Sequence, residues 1–340
     1  MIFLDTEKLA ELFPMLDEAV TLLKDDVSIS YVEALTETIQ NLTFEGKAQQ
    51  MDGLPSNETV LKLNKIYRKL KWEEESREIV RKLIQFGFIK AIRQDKIQTN
   101  HQITPDAIAF LIAYFVDAIK ADNNERIHLH DLAAGSGNLL MVVMDHLEKQ
   151  GKTVTAEAVD NDDLLISLAS NSAYMQQWGE KITFTHSDSL QELLIEPADV
   201  AVSDLPVGYY PLDDRAKKFE TSFEESRSYA HFLLLEQHLK YLKESGWGFF
   251  IVPKNIFESD ETGVLMKWLK GAGYLQAMLN LPESLFQSAE SQKSILILQK
   301  HGLKAKQAEP VLLGTIPELK DARKMQDFVK EFNNWSRKML

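Results

Sequence analysis

Three acids stand where short apolar runs end: Asp131 in IHLHDLAAGSGN, Asp160 in TAEAVD and Asp188 in THSDSL. Gly135 and Gly137 follow the first of them, and glycine lets a backbone turn tightly and approach a ligand where a side chain would clash. The third glycine of a dinucleotide-binding turn would fall at position 140, which is Leu140, so NAD fits poorly. Asp160 is placed to accept from both ribose hydroxyls of a nucleoside, and Asp188 from an adenine amine. Singly these signals are weak, since any strand-to-helix connection uses glycine for packing. In this order they predict a nucleoside-containing cofactor. A further run, VAVSDLPVGYYP at residues 200–211, ends in Asp204 and is either a reactive loop or a turn after a buried strand.

The elements that would carry these acids alternate. IHLHDLA, TAEAVD, KITFTHS, DVAVSDL, GWGFFIVP, LQAMLNL and SILILQK read as strands, separated by helical stretches such as 105–120, 139–149, 163–178 and 229–243. The pattern predicts an α/β fold, doubly wound around a largely parallel sheet, with ligands outside the carboxyl ends of the strands. Residues 1–97 read instead as a small helical domain, and 98–340 as the α/β domain. Leu35, Ile39 and Leu42 keep helical spacing behind a capping box at Ser30 and Glu33, and Val60, Leu63, Tyr67 and Leu70 repeat the spacing.

Residues 61–96 hold eleven Lys or Arg against five acids, in a chain of net charge −13. Two readings stand: a face toward nucleic acid, or a solvated helix in which Glu73, Glu74 and Glu78 pair with Arg77, Arg81 and Lys82. The second is favoured, because those acids lie at helix-turn spacing from the cations they would pair with. The overall charge argues against indiscriminate coating of nucleic acid.

With no cysteine in 340 residues, disulfides, thiolate metal sites and thiol nucleophiles are excluded. The histidines show no HExxH pairing, and His128 and His130 suit a strand entering the core, so no metal site is expected. An N-terminus with early acids and no long apolar run, and no bilayer-length stretch, predict a cytoplasmic protein without membrane association.

The order of motifs resembles that of the class I S-adenosylmethionine-dependent methyltransferases, specifically N6-adenine DNA methyltransferases of the type I modification-subunit kind. HQITPDAIAFLI looks like their Phe-Thr-Pro segment, with Ile103 in place of the Phe. SYAHFLLLEQHLKYLKESGWGFFIVPKNIF and LKGAGYLQAMLNLPESLFQSAESQKSILILQK follow the family's later segments, including its Leu-Pro-Glu turn and final Lys-Ser-Ile-Leu strand. The resemblance implies the class I methyltransferase fold and S-adenosylmethionine as cofactor. It implies a cofactor site built from Thr104, which would hold the methionine end, with Asp131, Ala133, Gly135, Gly137, Asn138, Asp160 and Asp188. Asp131 would touch the ligand or act by fixing the glycine turn through backbone hydrogen bonds.

In that family the fourth strand ends in Asn-Pro-Pro-Phe or Tyr, with Asp-Pro-Pro-Tyr in relatives. A side-chain oxygen and a main-chain carbonyl accept the hydrogens of a conjugated amine and drive its nitrogen toward a tetrahedral, electron-rich geometry. The aromatic ring stacks on the extruded base. Here Asp204 supplies the acceptor, Leu205 the carbonyl and Pro206 the second proline, while Val207 takes the aromatic position. Tyr209 or Tyr210 would supply a ring from a rearranged loop, or simply pack against the domain.

The resemblance implies an N-methyltransferase acting on adenine in DNA. Alternatives are an RNA base, a protein amide, or cofactor binding without catalysis. After residue 301 a strand, PVLLGTIP, and a helix over 318–339 remain, too short for a separate reader domain, so a DNA role would call on a specificity partner subunit or on the basic helices. Residues 209–228 read as a loop beside the active site or as a surface connection of no consequence.

Overall fold

The spaced apolar residues of the N-terminal region form four helices: α1 (Ile2–Val27), α2 (Tyr31–Thr43), α3 (Asn57–Leu70) and α4 (Arg77–Gln94). The capping box forms as its spacing predicts: Ser30 Oγ accepts from the Glu33 amide at 3.3 Å and the Ser30 amide donates to Glu33 Oε2 at 2.8 Å. Ser56 and Ser76 cap α3 and α4 by their hydroxyls alone, which accept from the Thr59 and Ile79 amides. The computed structural model describes residues 2–96, 103–121, 125–224, 226–258 and 262–339. The expected boundary between residues 97 and 98 lies outside them.

Next come α5 (Asp106–Ile119), β1 (Arg126–Asp131), α6 (Asn138–Lys149), β2 (Thr153–Asp160), α7 (Asp163–Met175), β3 (Ile182–His186) and β4 (Ala198–Asp204). They are followed by a single-turn α8 (Asp213–Ala216), α9 (Ala230–Lys240), β5 (Leu242–Pro253), α10 (Thr262–Ala272), β6 (Gly273–Asn280), β7 (Lys293–Lys300), β8 (Leu312–Thr315) and α11 (Ala322–Ser336). Every apolar run read as a strand forms one, including PVLLGTIP. The sheet order is β3-β2-β1-β4-β5-β7-β6-β8. β1 pairs in parallel with β2 and β4, and β4 with β5, while β7 runs antiparallel to both β5 and β6. This is the expected doubly wound, largely parallel sheet of the class I methyltransferase type.

The chain divides into two compact units. The first comprises Met1–Ile103, Gly135–Asn138 and Asp162–His186. Its core packs Leu16, Leu23, Leu35, Leu63, Leu83 and Phe88, together with Leu165, Leu168 and Met175 of α7. Arg77 lies over the Trp178 ring at 3.8 Å and donates to the Gln176 carbonyl at 2.8 Å.

The second unit comprises Thr104–Ala134, Leu139–Asn161 and Ser187–Leu340. Phe232, Leu235 and Leu239 of α9 pack with Phe250 and Val252 of β5 and Leu296 and Leu298 of β7. C-terminal α11 folds back on α5, with Phe332 stacked on Phe115 at 4.2 Å and the Tyr114 hydroxyl donating to Asn333 at 2.6 Å. Among the described residues no helix is long and apolar enough to cross a membrane.

Candidate active site

Asp131, Asp160 and Asp204 are the last residues of β1, β2 and β4, and Asp188 lies two residues past β3. Strand geometry explains that placement: a buried apolar run excludes a carboxylate until the chain leaves the sheet. Asp131 is the exception in burial. It is almost wholly enclosed, and its Oδ1 accepts from the Ala133 amide at 3.0 Å and the Ser203 hydroxyl at 2.6 Å. Burial pushes its carboxyl up to about 7, against the pull of those two hydrogen bonds. Those bonds tie it to the segment that follows β1 and to the end of β4.

Gly135 and Gly137 have φ of +52° and +74°, a left-handed backbone that glycine adopts without strain. A Cβ at Gly135 would meet nothing within 4 Å, so the space beside the turn is open. Asn138 opens α6, and its Oδ1 accepts from Arg81 Nη1 at 2.8 Å. Arg81 is 4% exposed and also donates to both oxygens of Glu78, at 2.9 and 3.0 Å. The Glu78 pairing matches the solvated-helix reading; the burial does not, because two satisfied acceptors let the guanidinium leave water. Nothing in a basic stretch of sequence marks which arginine turns inward.

Asp204 is engaged at both oxygens. Thr104 Oγ1 donates to Oδ2 at 3.0 Å, and Lys293 Nζ, from the start of β7, stands 2.6 Å from Oδ1. Thr104 is thus found against the acid of the fourth strand. No spacing or motif in the sequence points from Asp204 to Lys293, although it is the Lys of the Lys-Ser-Ile-Leu strand. Leu205 is fully buried, and its amide donates to the Ile251 carbonyl at 3.0 Å, which continues the β4–β5 ladder one residue past the acid. Val207 is exposed.

The two tyrosines that follow divide the alternatives between them. Tyr210 is buried, and its hydroxyl donates to Asp188 Oδ2 at 2.5 Å. Burial and that carboxylate raise the phenol to about 12. Tyr209 is 59% exposed and stacks on Tyr229 at 4.9 Å with 19° between planes; Tyr229 stacks in turn on His231 at 5.1 Å. Phe223 meets Tyr229 edge-on at 5.3 Å. His231 is buried, and burial, assisted by the charge of Lys293, lowers its imidazole to about 4. A solvent-facing ring backed by a stack therefore follows the Asp204 turn by five residues. Asp188 also accepts from Arg215 of α8, so part of the segment read as a loop is helical and tied to a strand-end acid.

A sheet of this order with acids at these strand ends defines an S-adenosylmethionine-dependent methyltransferase fold. Residues 88–333 match the N-6 DNA methylase family, and residues 10–92 match the YtxK N-terminal helical domain. The chain belongs to the N-6 DNA methylase family, whose cofactor is S-adenosylmethionine. Over 326 residues it is 34% identical to YtxK of Bacillus subtilis (strain 168), itself uncharacterised, spanning 96% of this chain and 97% of YtxK. A Listeria monocytogenes structure assigned to the class I S-adenosylmethionine-dependent methyltransferases is 39% identical, with TM-score 0.89 over 97% of this chain and 99% of that one. The methyltransferase subunit of a type I restriction-modification system from Streptococcus thermophilus shares the fold at 16% identity, with TM-score 0.66 over 94% of this chain and 73% of that one. Carboxylates at the ends of β1 and β2 and just past β3 are hydrogen-bond acceptors, the chemistry that the hydroxyls and amine of such a cofactor call for.

Proposed function

We propose that this chain is an S-adenosylmethionine-dependent N-methyltransferase acting on the exocyclic amine of adenine in DNA. The observation that carries the reading is the half-buried Asp204 at the end of β4, held by Thr104 and Lys293 and followed by the exposed, stacked ring of Tyr209. Thr104, Asp131, Ala133, Gly135, Gly137, Asn138, Asp160 and Asp188 would hold the cofactor. Asp160 accepts from the ribose hydroxyls, Asp188 from the adenine amine, and Asp131 fixes the turn. When bound, the cofactor supplies an electrophilic methyl group on a sulfonium.

The remaining work falls to the acceptor side. Asp204 Oδ2 accepts one hydrogen of the amine when the Thr104 hydroxyl rotates away, and the Leu205 carbonyl accepts the other. That pairing concentrates electron density on the nitrogen and gives its departing proton a carboxylate to reach. Tyr209 takes the stacking role that Val207 cannot fill, against a base drawn out of its duplex. The type I modification subunits that share the fold support a partner subunit for sequence recognition.

One observation favours a second reading, a protein that holds S-adenosylmethionine without transferring its methyl group: both Asp204 oxygens already have strong donors. The two readings separate in one experiment. Tritiated S-adenosylmethionine is incubated with the protein and an extract of cells lacking it, and DNA, RNA and protein are then separated. Label in DNA that disappears with Asp204→Ala supports the proposal. Label in RNA or protein changes the acceptor, and no label despite cofactor binding leaves the second reading.

A further inference from the structure

Asp188 joins two parts of the second unit. Its Oδ1 accepts from the Leu190 amide at 2.9 Å, while its Oδ2 accepts from the Tyr210 hydroxyl at 2.5 Å and from the Arg215 guanidinium. A carboxylate oxygen offers two lone-pair directions, so Oδ2 is saturated and Oδ1 has one described donor. The phenol of Tyr210 stays protonated at neutral pH and remains a donor.

The other side of the same segment is pinned to the start of α9. The Tyr210 amide donates to the Ser228 carbonyl at 2.9 Å, and the Ala230 amide donates to the Gly208 carbonyl at 2.8 Å. Those bonds bracket the Tyr209–Tyr229 bridge and lay one ring on the other. Because successive side chains of an extended segment point to opposite sides, Tyr210 turns inward to Asp188 while Tyr209 faces solvent. Residues 208–216 are thus a strap, fastened at one side to the acid after β3 and at the other to the ring stack.

We propose that Tyr210 and Arg215 are positioning residues that couple the nucleoside end of the cofactor site to the acceptor-side ring. Asp188 receives the cofactor's amine on Oδ1 and holds the strap on Oδ2, so occupancy of one is felt at the other. A charge-assisted bond is short and directional, which makes it a suitable link. Coupling of this kind is reciprocal: a bound cofactor steadies Tyr209, and a base stacked on Tyr209 tightens cofactor binding. The inference rests on the N-methyltransferase reading of the site.

The test is hydrogen exchange of the full-length chain, read over residues 208–216 with and without saturating S-adenosylmethionine, beside calorimetric titration of the cofactor. In the wild type, cofactor should slow exchange of the strap about fivefold or more, the lower end of ordinary coupling. Arg215→Gln should abolish that response while cofactor affinity changes less than about threefold, and Arg215→Lys should restore part of it. Tyr210→Phe, which keeps the buried ring, should weaken the response. An equal response in wild type and Arg215→Gln, or none in a saturated wild type, overturns the inference. Failure of the wild type to bind cofactor overturns both it and the methyltransferase reading. An intact response without any methyl acceptor overturns only the proposed catalysis.

Discussion

Asp204 Oδ1 and Lys293 Nζ stand 2.6 Å apart and join the end of β4 to the start of β7. The ammonium neutralises the strand-end acid and fixes its orientation. Asp204→Ala should lower methyl transfer by about 100-fold or more, the scale of losing an electrostatic partner in the transition state, while cofactor affinity stays nearly unchanged. Lys293→Met leaves a carboxylate that is only 21% exposed without its cation. It should cost about 1–2 kcal/mol in urea unfolding, between the limits for exposed and buried pairs, and Lys293→Arg should recover most of it. A Lys293→Met protein of wild-type stability would mean that the pair holds nothing in place.

The buried carboxyl of Asp131 predicts a pH dependence. An unfolded aspartate titrates near 3.9, whereas folded Asp131 is raised to about 7. Between those values the folded state keeps a proton that the unfolded state has lost, so this residue's contribution to stability falls as pH rises from about 4 to 7 and levels off above. Asp131→Asn lacks that slope. Denaturant unfolding of both proteins from about pH 5 to 8 should show the variant gaining on the wild type by up to about 1.4 kcal/mol per pH unit below pH 7. Parallel curves would show that the folded carboxyl is not raised.

Tyr209 presents its ring to solvent on a stack of Tyr229 and His231. Tyr209→Ala should raise the acceptor KM or lower kcat/KM by about 5- to 150-fold, corresponding to about 1–3 kcal/mol of base stacking. Thermal stability should change little, because the side chain is exposed. Tyr209→Phe should retain activity. Unchanged steady-state kinetics in Tyr209→Ala would remove this ring from the acceptor site.

On α3, Lys65, Arg68 and Lys69 are exposed and have no carboxylate partner among the described residues, whereas Lys62 pairs with Glu58 and Lys71 with Glu74. If duplex DNA is the substrate, reversing Lys65, Arg68 and Lys69 to Glu should weaken binding across all sequences and reduce the slope of log K against log salt by about 2 to 3. Wild-type affinity and slope would return this helix to the solvated reading.

Much of this arrangement is legible one segment at a time. Alternating apolar runs dictate the strands, because a strand buried on both faces must be apolar throughout. The same rule pushes Asp131, Asp160 and Asp204 to strand ends. Positive φ at Gly135 and Gly137 is likewise a local demand that a local residue choice meets. The Ser30–Glu33 box needs only its own four residues.

Pairings across long stretches of chain are another matter, since side-chain chemistry names a donor without naming its acceptor. Lys293 reaches Asp204 across 89 positions because β7 inserts antiparallel beside β5. Arg215 and Tyr210 meet Asp188 because the strap turns back toward that acid within the second unit. Arg81 leaves a basic stretch for the interior because Glu78 and Asn138 both wait there. The sequence by itself determined the sheet, the glycine turn and the strand-end acids, all products of local periodicity and burial. Only the tertiary structure decided which cation neutralises which acid and which tyrosine faces solvent, because those outcomes depend on loop closure and desolvation among residues distant in the chain.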